Sequence, residues 1–155
     1  MISEFQGDYR WLSNFYYSPI TYNNLLYPTV EHFFQAMKTT DLSARAKICL
    51  DPNPGSAKRT GRTLQLRPDW DSIKIAVMAH GLRKKFAHPD LKQKLIATYP
   101  LFIEEGNYWH DNYWGNCLCP KCNSFAGRNN LGQLLMILRE HLINGTLADV
   151  PDPVF

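Results

Sequence analysis

Long apolar runs are missing from this sequence of 155 residues. No stretch approaches the ~20 consecutive apolar residues that a membrane span needs, so no membrane association is expected. Met1 to Asp8 carries no basic stretch followed by an apolar one, so no signal peptide is expected and the expected location is the cytoplasm. Cysteine is scarce. In a reducing compartment the four cysteines are expected as thiols or metal ligands rather than disulfides. Excess charge is also small, with 17 Lys and Arg against 14 Asp and Glu. A net +3 fits a phosphate-bearing substrate, and equally an ordinary mildly basic surface. It is too little for strong nonspecific DNA binding. Repeats, low-complexity stretches and linkers are absent, and the length is that of one domain.

Aromatics are plentiful: eight Tyr, eight Phe and four Trp. Part of this supply fills a core, and Tyr and Trp also make flat walls on which bases stack. Ile20-Thr21-Tyr22 and Leu25-Leu26-Tyr27 flank Asn23-Asn24, which predicts a short hairpin and the only strand pair. After Pro28 the period becomes helical, with Val30, Phe33, Phe34 and Met37 at i, i+3, i+4 and i+7 and Thr29 placed to cap. Further helices are expected over Ser43 to Leu50, Trp70 to Phe86, Pro89 to about Thr98, and through the stripe Leu131, Leu134, Leu135, Leu138 and Leu142. Residues 51–69, with three prolines and two glycines, read as loop or interrupted helix, and residues 100–126 as irregular. The expected architecture is mainly α with a small N-terminal β element. It is a compact single domain over residues 1–150 with a tail at 151–155.

Four segments carry residues capable of chemistry. Glu31, Gln35 and Lys38 share one side of the first predicted helix, and Glu31 lies in its first turn. Favourable helix-end electrostatics is the plain alternative there. His32 points about 100° away and reads as a structural histidine. Pro54 to Arg62 combines glycines, hydroxyls and three cations without P-loop spacing, so it is either a phosphate cradle or a solvated basic turn. Asn107 to Asn116 surrounds Asp111 with Tyr108, Trp109, Tyr113 and Trp114. That composition suits a site, and equally a loop anchored by its aromatics. Cys119-x-x-Cys122 is half a zinc knuckle, with Cys117, His110 or Cys49 as further candidates. The usual second Cys pair is missing, so neither metal nor other cofactor is expected.

Several motifs together resemble the NADAR family of YbiA-like N-glycosidases. They are Trp11-Leu12-Ser13-Asn14-Phe15, Tyr27 to Lys38, Ala57 to Arg62, and Arg67-Pro68-Asp69-Trp70-Asp71 leading to Lys74. Asp111-Asn112-Tyr113-Trp114-Gly115 and Gly127-Arg128-Asn129-Asn130-Leu131-Gly132, with the helix to Arg139, complete the set in order. The resemblance covers almost the whole chain. It implies a compact, mainly α fold and hydrolysis of N-glycosidic bonds. It implies Glu31, Lys58 and Asp111 as catalytic residues, and Asn14, Arg62, Trp114 and Asn129 as substrate contacts. Two substrate classes come with it: ADP-ribosylated guanine on nucleic acid, and phosphoribosylaminopyrimidine intermediates of riboflavin synthesis. Lys58 matches a lysine of the ADP-ribose-removing branch, which favours the first class and functional pairing with a DNA ADP-ribosyltransferase toxin. The chain departs from the family at Cys117 to Cys122, often Gly-rich or charged in relatives, and at Asn116, where some carry an acid.

Two other classes compete with hydrolysis. A module that binds ADP-ribose or NAD without cleaving it needs the same aromatic and cationic residues but not Glu31. A zinc-knuckle nucleic-acid adaptor would be built on the cysteine segment.

Overall fold

The computed structural model describes residues 1–155. The fold is mainly α, and its residues group into two compact units. One unit comprises Asn14–Ala87 with Asp152–Phe155, and the other Met1–Ser13 with His88–Pro151.

The first of these units opens on a hairpin of β1 (Ile20–Tyr22) and β2 (Leu25–Tyr27), paired antiparallel with Ile20 opposite Tyr27. Asn23 and Asn24 both have positive φ, 48° and 62°. Two successive left-handed residues match the twist of a two-residue hairpin, and Asn tolerates that conformation. Helix α1 (Val30–Ala36) follows, with the Thr29 hydroxyl accepting from His32 N at 3.2 Å. All seven residues of α1 are buried, so this short helix is the axis of the unit. Around it pack α2 (Leu42–Leu50), α3 (Pro54–Thr63) and α4 (Trp70–Lys85).

Helix α3 replaces the loop or broken helix expected over these residues. Pro54 sits in its first turn, where a missing N–H has no helical partner to lose, and the Asn53 side chain caps Gly55 N and Ser56 N. Gly61 is buried where α3 crosses α1; a Cβ there would overlap the Gln35 carboxamide. The proline and glycines that look like breakers serve helix initiation and close packing. The last residues dock on this same unit, with the Phe155 ring 5.9 Å from His80 and Asp152 paired to Arg83 at 3.3 Å.

The other unit holds α5 (Pro89–Ala97) and α6 (Asn130–Asn144), which pack on each other. Leu131, Leu135 and Leu138 form the buried stripe of α6, and Gly145, at φ +67°, ends it. Arg139 is buried and reaches Thr98 Oγ1 at 2.9 Å and Leu101 O at 2.8 Å. The N-terminal segment is stitched alongside by Ile2 N to Phe102 O and Glu104 N to Ile2 O, each 2.8 Å. A second strand pair, parallel and unexpected, joins β3 (Gly106–Asn107) to β4 (Asn116–Cys117). With two residues each, these strands carry no periodic signal to read. No helix is long and apolar enough to cross a membrane.

Candidate active site

A fully buried helix must satisfy every polar group it carries, because an unpaired buried polar atom costs about 1–3 kcal/mol. Helix α1 carries three. His32 is completely buried and satisfied, with Nδ1 2.8 Å from Thr29 Oγ1 and Nε2 2.8 Å from Asp51 O. It is the structural histidine expected. Glu31, 6% exposed, accepts from Gln35 Nε2 at 2.8 Å through Oε1. Gln35 Oε1 is buried and has no hydrogen-bond partner.

Asn14 adds a second open acceptor. Its backbone oxygen takes the Glu31 N–H at 3.1 Å, which fixes it at the start of α1. Its Nδ2 contacts Met78 Sδ at 3.4 Å, and its buried Oδ1 has no partner. Two unsatisfied acceptors beside a buried carboxylate are what a protein retains where a ligand or water completes the bonding.

Lys38 lies within electrostatic reach of this carboxylate. Burial pushes the Lys38 ammonium below its ordinary pKa; the Glu31 charge opposes that drop, and Lys58 and Arg62 add to it. Lys38 therefore feels Glu31, Lys58 and Arg62 alike. Lys58, Gly61 and Arg62 recur at i, i+3 and i+4, so the face of α3 that meets Gln35 also carries both cations. Lys58 Nζ lies 5.9 Å from the centre of the Phe15 ring, a cation–π contact that steadies the amine. Arg62 is exposed. The basic segment thus presents side chains from a helix and is no backbone cradle. An open depression of about 530 Å³, lined by Leu50, Asp51, Asn53, Ser56 and Arg59 among others, contains none of the expected site residues.

Asp111, Trp114 and Asn129 belong to the other unit. Asp111 Oδ1 accepts from Tyr113 N at 3.0 Å and Trp114 N at 2.9 Å, a turn that sets the direction of the Trp114 ring. Asn107 holds the turn from behind, donating to Asp111 O at 2.7 Å and accepting from Asp111 N at 3.2 Å. Tyr113 and Trp114 meet edge to face at 5.0 Å. Asn129 is 5% exposed and turned inward: Nδ2 donates to Ile103 O at 2.9 Å, and Oδ1 accepts from Glu105 N at 3.0 Å. These bonds make Asn129 a brace between residues 103–105 and the start of α6. Of the seven expected residues, the structure brings Asn14, Glu31, Lys58 and Arg62 together. Gln35 joins them as a group not assigned a role from sequence, although its i, i+4 spacing from Glu31 was visible.

Residues 3–143 match the NADAR domain. The chain belongs to the NADAR domain family. Among NADAR relatives, N-glycosidase YbiA of Escherichia coli (strain K12) is 41% identical over 138 residues, 87% of this chain and 82% of that protein. A riboflavin biosynthesis protein of Vibrio vulnificus is 33% identical over 87% of this chain, but the match spans only 36% of its length. The solution structure of E. coli YbiA superposes with a TM-score of 0.78 at 37% identity, covering 95% of this chain and 89% of that one. The mainly α fold is therefore the NADAR fold.

Proposed function

We propose that this NADAR protein is an N-glycosidase that hydrolyses the C–N bond between a ribose and a base, with ADP-ribosylated guanine on nucleic acid as its substrate. The observation that carries this reading is the buried Glu31 carboxylate, held by Gln35 and close enough to Lys38 to act on its charge. Cleavage of a ribosyl C–N bond develops positive charge on the sugar, and a fixed carboxylate with little water around it stabilises that charge or activates water. The Arg62 guanidinium, exposed on α3, suits a phosphate of the substrate.

Lys58 supplies the preference for the ADP-ribosyl substrate. Its amine adds to C1 of the ring-opened sugar, which is joined to the base nitrogen as an imine. The resulting aminal collapses by breaking the bond from C1 to the base, both amine protons pass to the base nitrogen, and Lys58 is left as the imine of the sugar. Water then hydrolyses the resulting imine, freeing ADP-ribose and restoring the lysine. Asp111 is assigned a sugar-hydroxyl contact or proton transfer, and Trp114 stacking on a base. This substrate is what a DNA ADP-ribosyltransferase makes, so functional pairing with such a toxin accompanies the reading.

The second reading, cleavage of phosphoribosylaminopyrimidines of riboflavin synthesis, is favoured by the name of the Vibrio relative. The deciding experiment is a mass-spectrometric hydrolysis assay of wild type, Glu31→Gln and Lys58→Ala on both substrates. Release of ADP-ribose from a modified guanine oligonucleotide, lost in Lys58→Ala, is the expected result. Cleavage of the pyrimidine alone would replace the first reading with the second. Binding of ADP-ribose without release of base from either substrate would make the protein a non-catalytic module.

A further inference from the structure

The proposed chemistry leaves one cluster of reactive side chains unused. In the unit that holds α5 and α6, the His110 Nδ1 lies 3.3 Å from Cys122 Sγ and 3.4 Å from Cys119 Sγ. With Cys117 Sγ, these donor atoms all fall within 4.8 Å of one another. We propose that His110, Cys117, Cys119 and Cys122 bind one zinc ion in a closed structural site.

The distances suit that ion. Zinc bonds sulfur at about 2.3 Å and imidazole nitrogen at about 2.0–2.1 Å, so neighbouring corners of the tetrahedron lie about 3.5–3.8 Å apart. Both sulfur–nitrogen distances are within about 0.2 Å of that edge. Three thiols and an imidazole are soft and borderline donors, which select zinc over magnesium or calcium. Four protein ligands fill the tetrahedron and leave no position for water, so the ion does no chemistry itself.

Sequence alone supplied two cysteines of a knuckle and left the remaining ligands open. The fold chooses among them. Cys49 lies in α2 of the other unit, hydrogen-bonded to Tyr27, whereas His110 is brought to the thiols by its backbone. That backbone has φ +69°, a left-handed conformation that costs a non-glycine residue about 1–2 kcal/mol. Asn107, which brackets Asp111, keeps it there. The thiols are presented by β4 and the turn after it, where Cys122 N and Asn123 N both donate to Cys119 O at 3.0 Å. None of the cysteines is in a disulfide.

Zinc would fasten His110 to the segment 117–122. These are the two flanks of the turn in which Asp111 Oδ1 accepts from Tyr113 N and Trp114 N. The ion would therefore hold the direction of Trp114 from both sides.

The test uses the full chain, expressed with zinc supplied and purified without chelators. Elemental analysis should give about one zinc per chain. Cobalt added to reduced, metal-stripped protein should give the intense visible bands of a tetrahedral site and thiolate-to-cobalt charge transfer. His110→Ala and Cys122→Ser, both away from the deepest part of the core, should lose most of the zinc, while Cys49→Ser keeps it. Because Cys122→Ser can misfold, the cobalt spectrum of wild type stands as an independent check. Less than about 0.2 zinc per chain, together with no tetrahedral cobalt spectrum, overturns the proposal. So does zinc content unchanged in both His110→Ala and Cys122→Ser.

Discussion

Gln35 donates its carboxamide to Glu31 one turn earlier on the same buried helix, at 2.8 Å. The bond fixes a carboxylate rotamer inside the protein and leaves Gln35 Oε1 without a partner. Glu31 and Gln35 therefore act as a unit, in which one group does the proposed chemistry and the other positions it. Glu31→Gln is expected to lower kcat by about 10²–10⁴, the usual contribution of a positioned acid or base. Gln35→Ala should give a smaller loss, about tenfold, mainly in kcat. Thermal melts of both variants near wild type would separate lost chemistry from unfolding, and full activity in Glu31→Gln would remove Glu31 from the mechanism.

Gly61 tests the same geometry from the facing helix. A methyl group there overlaps the Gln35 carboxamide, so Gly61→Ala must either push α3 away from α1 or drive Gln35 off Glu31. The expected destabilisation is about 1–3 kcal/mol, as for other overpacked sites, even though alanine is the better helix former. Urea denaturation measures it. The double variant Gly61→Ala with Gln35→Ala should recover much of the stability and little of the activity. If Gly61→Ala is as stable as wild type, this packing account is wrong.

Local signals are legible in the sequence and tertiary ones are not. The Thr29 cap, the Asn23-Asn24 turn and the leucine stripe of α6 depend on near neighbours, and each lies where its pattern placed it. Helix α3 is hidden in the sequence because Pro54 and Gly61 look like breakers until the helix end and the neighbouring helix are known. The Glu31–Gln35 pair was visible as a helical spacing. The Asn14–Glu31 backbone bond joins a loop to a helix start, and no spacing reveals it. Asn129 illustrates a limit of matching motifs: the resemblance marks its position, but only the fold shows its side chain turned inward.

That inward turn makes Asn129 a determinant of stability. Asn129→Ala leaves Ile103 O and Glu105 N without their partners and places alanine at φ +51°. Two lost buried hydrogen bonds and a strained backbone should cost about 3–5 kcal/mol. Asn129→Gly relieves the strain alone and should recover about 1 kcal/mol of that loss. Equal stability of wild type and both variants, by chemical denaturation, would contradict the brace.

Stability is expected to depend on pH through His80. His80 is 6% exposed, set among the rings of Tyr22, Phe33 and Phe155, and neither ring nitrogen has a hydrogen-bond partner. Burial pushes its pKa below the ordinary 6.5; Lys84 and Arg83 add to the drop and Asp152 opposes it. The folded protein therefore holds His80 neutral, while the unfolded chain takes up a proton near pH 6.5. Between the two pKa values the unfolded state binds more protons, so stability rises with pH in that window. The contribution is fully present above about pH 6.5 and is lost as the pH falls through the lower folded value. Urea midpoints measured from about pH 8 down to about pH 5 should decline below 6.5 in wild type. His80→Phe keeps the aromatic packing and should decline less over the same range. Equal declines in the two proteins would show that His80 contributes nothing to the acid sensitivity.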